Sequence, residues 1–252
     1  MLAARHPHYQ LAGLRFGVAT DRRMQCASLF AQFSAVRITA LCLLAVLPLS
    51  CCSPARGLLK LTKTGTVAQV KGELGRGLNV NTRLTRGGLT LLMNAAAYNS
   101  DPNVISALIA AGAEVNASDR VGRTALTLAA ELNTNAEVIT TLIHAGANPN
   151  VIDRTDRTPL LRAAEFNANP KVAVALVQGG ADINAVRGFD GGTALMYAAR
   201  WSKNPEVVVA LIMMGAKSKV KDKFGKTALD YTAKNKSLVG TNALRLLSES
   251  PQ

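Results

Sequence analysis

The chain repeats itself about every 34 residues, and this constrains its fold more than any other feature. T-L-L-M-N-A-A begins at Thr90, T-A-L-T-L-A-A at Thr124, T-P-L-L-R-A-A at Thr158, T-A-L-M-Y-A-A at Thr193 and T-A-L-D-Y-T-A at Thr227, so the spacings are 34, 34, 35 and 34. Gly-Ala follows each of the first four threonines by 22 residues, at Gly112, Gly146, Gly180 and Gly215. Asn116, Asn150 and Asn184 stand four residues past three of these glycines, and Lys219 breaks the row. A unit of this size cannot bury its own apolar face, so the copies have to stack into a solenoid.

Each unit reads as two helices. The Thr hydroxyl can cap the first by accepting from free backbone N–H groups. Leu92, Leu126, Leu160, Leu195 and Leu229 then point into the stack, and the paired alanines let neighbouring helices approach closely. Asp101-Pro102, Asn135-Ala136, Asn169-Pro170 and Asn204-Pro205 start the second helix, because Asp or Asn caps and Pro suits the first helical position. That helix carries one apolar face: Val104, Leu108 and Ile109, with Val138, Leu142, Ile143, then Val172, Leu176, Val177, then Val207, Leu211, Ile212. The glycine ending it supplies a left-handed C-cap.

These residues resemble the ankyrin repeat, whose signature is T-P-L-H-x-A at a period of 33. The resemblance covers about residues 58–248. It implies an all-α solenoid of stacked helix pairs with projecting β-hairpin fingers. It divides the domain into an N-terminal capping repeat at 58–81, full repeats at about 82–116, 117–150, 151–184 and 185–219, and a C-terminal capping repeat at 220–248. Two departures stand out. Met93, Thr127, Leu161, Met196 and Asp230 replace the signature histidine, and an extra residue lengthens the loop between the helices.

In this family, fingers and inner helices form a concave surface that binds proteins. The fingers here read T-R-L-T-R-G-G-L from Thr82, S-D-R-V-G-R from Ser118, I-D-R-T-D-R from Ile152, V-R-G-F-D-G-G from Val186 and K-D-K-F-G-K from Lys221. The fingers before Thr90 and Thr193 carry an extra residue. Arg83, Arg86, Arg120, Arg123, Arg154, Arg157, Arg187, Lys221, Lys223 and Lys226 are expected to form one basic rim, with Phe189 and Phe224 as exposed anchors. Arg and aromatics are enriched at binding hot spots. The competing reading pairs the arginines with Asp119, Asp153 and Asp156. Tyr98, Leu132, Phe166 and Trp201, eight residues after each Thr, read mainly as packing beneath the longer loop. Trp201 is the best candidate among them for touching a partner.

Charge agrees with a basic surface. The chain carries 29 basic and 16 acidic residues, and without its first 50 it still carries 24 and 15. Such a balance favours acidic partner proteins or anionic surfaces. Nucleic acid is a weaker expectation, since stacking aromatics are few. The domain is expected to be monomeric.

The N-terminal 50 residues read as a signal region. Ile38 to Ser50 is an uncharged apolar run of 13 residues after Arg37, too short to span a bilayer and suited to a secretory signal. Cys51 follows in L-P-L-S-C-C-S, which resembles a bacterial lipoprotein signal with Cys51 as the acylated residue. Pro48 departs from that pattern, and Cys52 fits no better. A cleaved soluble signal and an uncleaved anchor remain open, and Met24 is a possible true start. Residues 51–57 then form a short linker. The expectation is an exported protein held in the cell envelope, in the periplasm or on the outer membrane.

All four cysteines lie in the first 52 residues, so the repeat domain has no thiol. It contains one histidine, His144, at a helix end where a partial positive charge suits the dipole. Metal-ligand spacings, phosphate loops and nucleophile elbows are absent from the sequence, so neither enzyme activity nor a cofactor is expected. The leading expectation is protein binding, followed by an inhibitor or immunity role against a toxin or envelope enzyme, and last polyanion binding.

Overall fold

The computed structural model describes residues 54–249. The signal region, Met24, Cys51 and Cys52 lie outside the described residues. Twelve α-helices follow one another among the described residues: α1 Pro54–Thr64, α2 Val67–Gly75, α3 Leu91–Tyr98, α4 Pro102–Ala110, α5 Ala125–Leu132, α6 Ala136–His144, α7 Pro159–Phe166, α8 Pro170–Gln178, α9 Ala194–Trp201, α10 Pro205–Met213, α11 Ala228–Thr232 and α12 Asn242–Glu249. A 3-10 turn, Lys236–Leu238, precedes α12. Odd-numbered helices pack on one another in chain order as an inner layer, and even-numbered helices do the same as an outer layer.

The predicted caps form. The hydroxyls of Thr90, Thr124, Thr158 and Thr193 accept from the N–H groups of Met93, Thr127, Leu161 and Met196 at 3.2 to 3.4 Å. Thr227 differs. Its own N–H and hydroxyl donate to the Asp230 carboxylate at 2.7 and 2.8 Å. Leu92, Leu126, Leu160 and Leu195 are buried as expected, but Leu229 is exposed. Helix α11 has an inner-helix neighbour on one side only, which leaves that leucine partly open. In the outer helices the buried residues extend to Ile105, Ile139, Ala173 and Val208, one position past the predicted valines.

The extra loop residue has a structural use. The side-chain oxygens of Asn99, Asn133 and Asn167 accept from the N–H two residues on, at 2.9 to 3.0 Å, and so shape the loop. Their amides reach into the preceding repeat. Asn133 donates to the carbonyls of Ala96 and Asn99, and Asn167 to those of Ala130 and Asn133. Asn99 does the same toward Thr62 and Gly65, and Asn235 toward Ala199 and Ser202. Ser202 interrupts the row, since its hydroxyl bonds within its own loop. A second row runs past the outer helices. Asn81, Asn116 and Asn150 each bridge forward, donating to Gly112, Gly146 and Gly180. The first row satisfies backbone carbonyls that stacking removes from water, and both rows tie each repeat to its neighbour in a fixed register.

Among the described residues no strand forms. The inter-repeat connections are tight turns, and the two lengthened ones each carry one isolated antiparallel bridge, Arg83 with Thr90 and Arg187 with Gly192. Two residues before each helix-starting Thr the backbone takes positive φ: Gly88, Gly122, Gly191 and Gly225, with Asp156 at 58° in the third repeat. A side chain is strained there, and Asp156 uses the position to accept from the Gly188 N–H at 2.9 Å.

Candidate functional site

Adjacent connections are tied by their backbones. Arg120 N donates to Gly87 O, Arg154 N to Val121 O, Gly188 N to Asp156 O and Lys223 N to Asp190 O, all at 2.8 to 2.9 Å. The turns themselves are built by buried aspartates. Asp119 Oδ1 accepts from the N–H groups of Val121 and Arg123, Asp153 from Thr155 and Arg157, and Asp222 from Phe224 and Lys226. The result is a continuous ladder of turns at the N-terminal end of the inner helices.

The ten expected rim cations separate into two groups on this ladder. Arg86, Arg120, Arg154, Arg187 and Lys221 are exposed, and their side chains make no hydrogen bond, ion pair or ring contact among the described residues. The other five are engaged within the protein. Arg83 donates to the carbonyls of Gly88 and Ser118. Arg123 pairs with Asp119 at 3.0 Å, and Lys223 donates to the Phe189 carbonyl at 3.0 Å. Arg157 pairs with Glu165 and lies 4.5 Å above the Tyr197 ring. Lys226 sits 5.7 Å above the Tyr231 ring. The rim is therefore not a uniform row of free charges. Of the expected internal pairings with Asp119, Asp153 and Asp156, only Arg123 with Asp119 forms among the finger arginines. The anchors Phe189 and Phe224 are 90% and 64% exposed.

The open face of the inner helices carries a network that sequence reasoning missed. Asp153 pairs with Arg162 at 2.7 Å, and Arg162 also faces Glu131 at 3.8 Å. The Tyr197 hydroxyl donates to Asp190 at 2.5 Å, and Arg200 approaches the same carboxylate at 3.7 Å. Arg200 also lies 4.7 Å over Trp201 and 5.2 Å over Tyr231, whose hydroxyl donates to Asp222. The signal was present in the sequence. Arg162, Glu165, Tyr197 and Arg200 occupy the fourth and seventh positions of helices whose other positions are apolar, and these positions share one helical face.

Ionisation follows from these contacts. Burial raises the Asp153 carboxyl, but bonds from Thr155 and Arg162 outweigh it and hold it below the ordinary value. Burial likewise works against Asp222, and the Tyr231 hydroxyl and backbone N–H groups pull it down. Glu165 is pushed up, mainly by burial, against the attraction of Arg157 and Arg162. Burial and Asp222 together raise the Tyr231 phenol to about 12. Burial and Asp190 raise Tyr197 too.

The stripe of Tyr98, Leu132, Phe166 and Trp201 is not covered by the loop as expected. Each side chain lies between 43% and 53% exposed, at the C-terminal end of its inner helix. After Tyr98, Leu132 and Phe166 the loop asparagine folds back onto the preceding repeat, and after Trp201 Ser202 bonds within its own loop, so neither covers the stripe. Phe166, Trp201 and Lys203 line one small pocket of about 140 Å³ with Glu165.

The model for ankyrin repeats in three copies matches this chain in overlapping registers at residues 63–153, 92–187, 126–223 and 160–251. The chain belongs to the ankyrin-repeat family. No curated relative matches it. Ankyrin repeats form protein–protein interaction domains and are generally non-enzymatic scaffolds. Among the described residues, no three His, Cys, Asp or Glu side chains gather in a metal-binding group, and no helix is long and apolar enough to cross a membrane.

Proposed function

We propose that this ankyrin-repeat domain binds an acidic surface on another protein, with its inter-repeat connections acting as fingers. The supporting observation is the set of five exposed cations whose side chains make no hydrogen bond, ion pair or ring contact among the described residues, Arg86, Arg120, Arg154, Arg187 and Lys221, spread over all five connections. The backbone ladder holds the connections in fixed order, so the charges reach a partner pre-positioned and little ordering cost is incurred on binding. Phe189 and Phe224 add apolar anchors beside them. Arg123 and Arg157 drop out as direct contacts on this reading, because ion pairs hold them.

The location of this activity rests on sequence alone. The signal-like run at 38–50 and Cys51 support an exported protein, lipid-tethered in a bacterial envelope. An inhibitor or immunity role is the second reading, since blocking a toxin or envelope enzyme is also binding. The deciding experiment is affinity capture from an envelope extract with the wild-type domain and with Arg120→Glu/Arg154→Glu. One acidic protein held by the wild type and released by the variant is the expected result. Recovery of nucleic acid alone, eluting steeply with salt, would overturn it. Fatty-acid labelling of wild type and Cys51→Ala tests the tether, and unchanged labelling removes Cys51 from it.

A further inference from the structure

The stripe at the other end of the inner helices forms a second line of contact, independent of the fingers. Tyr98, Leu132, Phe166 and Trp201 each end an eight-residue inner helix. Such a helix separates the stripe from the turn ladder by about 12 Å. Four large side chains, each about half exposed and at the same position of successive stacked helices, form a regular apolar row rather than scattered surface residues. Cations stand at both of its ends. Lys63 Nζ lies 4.7 Å above the Tyr98 ring at one end. At the other, Arg200 covers Trp201, and exposed Lys203 lines the pocket between Phe166 and Trp201. Between these ends the neighbouring charges are Glu131 and Glu165, and arginines of the network face both.

The spacing selects the occupant. Packed helices lie about 8–10 Å apart, so the stripe steps by that distance and spans about 24–30 Å. A partner strand advances about 3.3 Å per residue. Three residues match the step, but an odd number turns the side chain to the opposite face. A partner α-helix covers about 10 Å in two turns, returning to the same face at every seventh residue. We infer that the stripe docks an amphipathic helix of a partner protein, running along the stack, with apolar residues at heptad spacing and acidic residues at both ends. Its apolar side chains fill the gaps between successive rungs, among them the pocket between Phe166 and Trp201. Its acidic ends meet Lys63 and Lys203.

Trp201 is the chain's single tryptophan, so its emission reports on the stripe directly. The probe is a designed helical peptide of about 22 residues, with Leu at every seventh position and Glu at both ends. Its twin carries Lys at both ends. The expected result is a saturable blue shift of Trp201 emission with the Glu peptide and affinity about tenfold weaker with the Lys peptide. Phe166→Ser is expected to weaken binding about fivefold with little change in Tm, and Leu132→Ser serves if that variant fails to fold. Arg120→Glu/Arg154→Glu leaves the peptide affinity unchanged, which separates this line from the fingers. Absence of a saturable shift, equal binding of the two peptides, or wild-type affinity in the serine variant would overturn the inference.

Discussion

The open face of the inner helices differs between the two halves of the solenoid. In the first two full repeats, its fourth and seventh helix positions are Asn94, Ala97, Leu128 and Glu131; in the next two they are Arg162, Glu165, Tyr197 and Arg200. Asn94 is absorbed by the capping helix, donating to Leu59 O and Thr62 Oγ1, and Leu128 is simply buried. The later positions instead take part in a series of ion pairs, hydrogen bonds and ring contacts spread from Arg162 to Tyr231. Beneath this face the core is the same throughout: Leu92, Leu126, Leu160 and Leu195 are all buried. One scaffold thus carries a largely quiet half, from which only Glu131 reaches across to Arg162, and a polar half, and the same leucine core underlies both.

The largest expected effect tests that shared core. Leu126→Ala and Leu160→Ala should each cost about 2–5 kcal/mol in urea unfolding, from lost burial plus a cavity. Leu229→Ala, at an exposed site, should cost under about 0.5 kcal/mol. A large gap between the first two would break the claim that the halves share one core.

Next come the loop asparagines. Asn167→Ala strands the carbonyls of Ala130 and Asn133 and should cost about 1–3 kcal/mol. Ser202→Asn should restore the missing rung in the polar half and raise stability by up to about 1 kcal/mol. Thermal melting of both variants reads this directly, and a destabilised Ser202→Asn would mean that the interruption is required.

Arg162→Met isolates the network. Losing the pair with Asp153 should cost about 1–2 kcal/mol at neutral pH, whereas Leu128→Met in the quiet half should cost under about 1.5 kcal/mol. The pH dependence has a defined sign. Asp153 is lowered in the folded state, so its contribution is present above its ordinary value near 4 and is lost as pH falls through the folded one. Glu165 is raised, so its contribution is present below its ordinary value and disappears as pH rises through the folded one. Urea midpoints between pH 2 and 7 should therefore fall less steeply on the acid side in Arg162→Met, and the Glu165→Gln variant should remove the opposing slope.

The smallest effect on stability is expected at the finger cations. Arg120→Glu/Arg154→Glu should leave Tm nearly unchanged, within about 0.5 kcal/mol per site, while abolishing capture of the acidic partner. Arg157→Glu should do the reverse, because Arg157 serves Glu165 and Tyr197.

Sequence reached much of this because the fold is built from local signals. Thr caps, Asp-Pro and Asn-Pro starts and Gly stops act within a few residues, so the helix ends fell where the spacing put them. The buried face of each outer helix was legible for the same reason, although Ile105 and its equivalents were passed over at the edge of the pattern. The candidate site was only half legible. A list of finger arginines says which cations exist, but not that the Arg83 side chain bonds Ser118 while that of Arg120 bonds no described residue. That depends on a neighbour 35 residues away.

The sequence by itself determined the period, the helix pairs, the register of the core leucines and the absence of thiols from the repeats. Tertiary structure alone decided which cations are free, how Arg162, Tyr197 and Arg200 join into one network, and that Tyr98, Leu132, Phe166 and Trp201 stay half open. The physical reason is distance along the chain. Caps and periodicity act over one or two helical turns, whereas several of the contacts that sort these surfaces, such as Arg83 with Ser118, Arg162 with Glu131 and Arg157 with Tyr197, join one repeat to the next, and a sequence shows such neighbours only after they have been stacked.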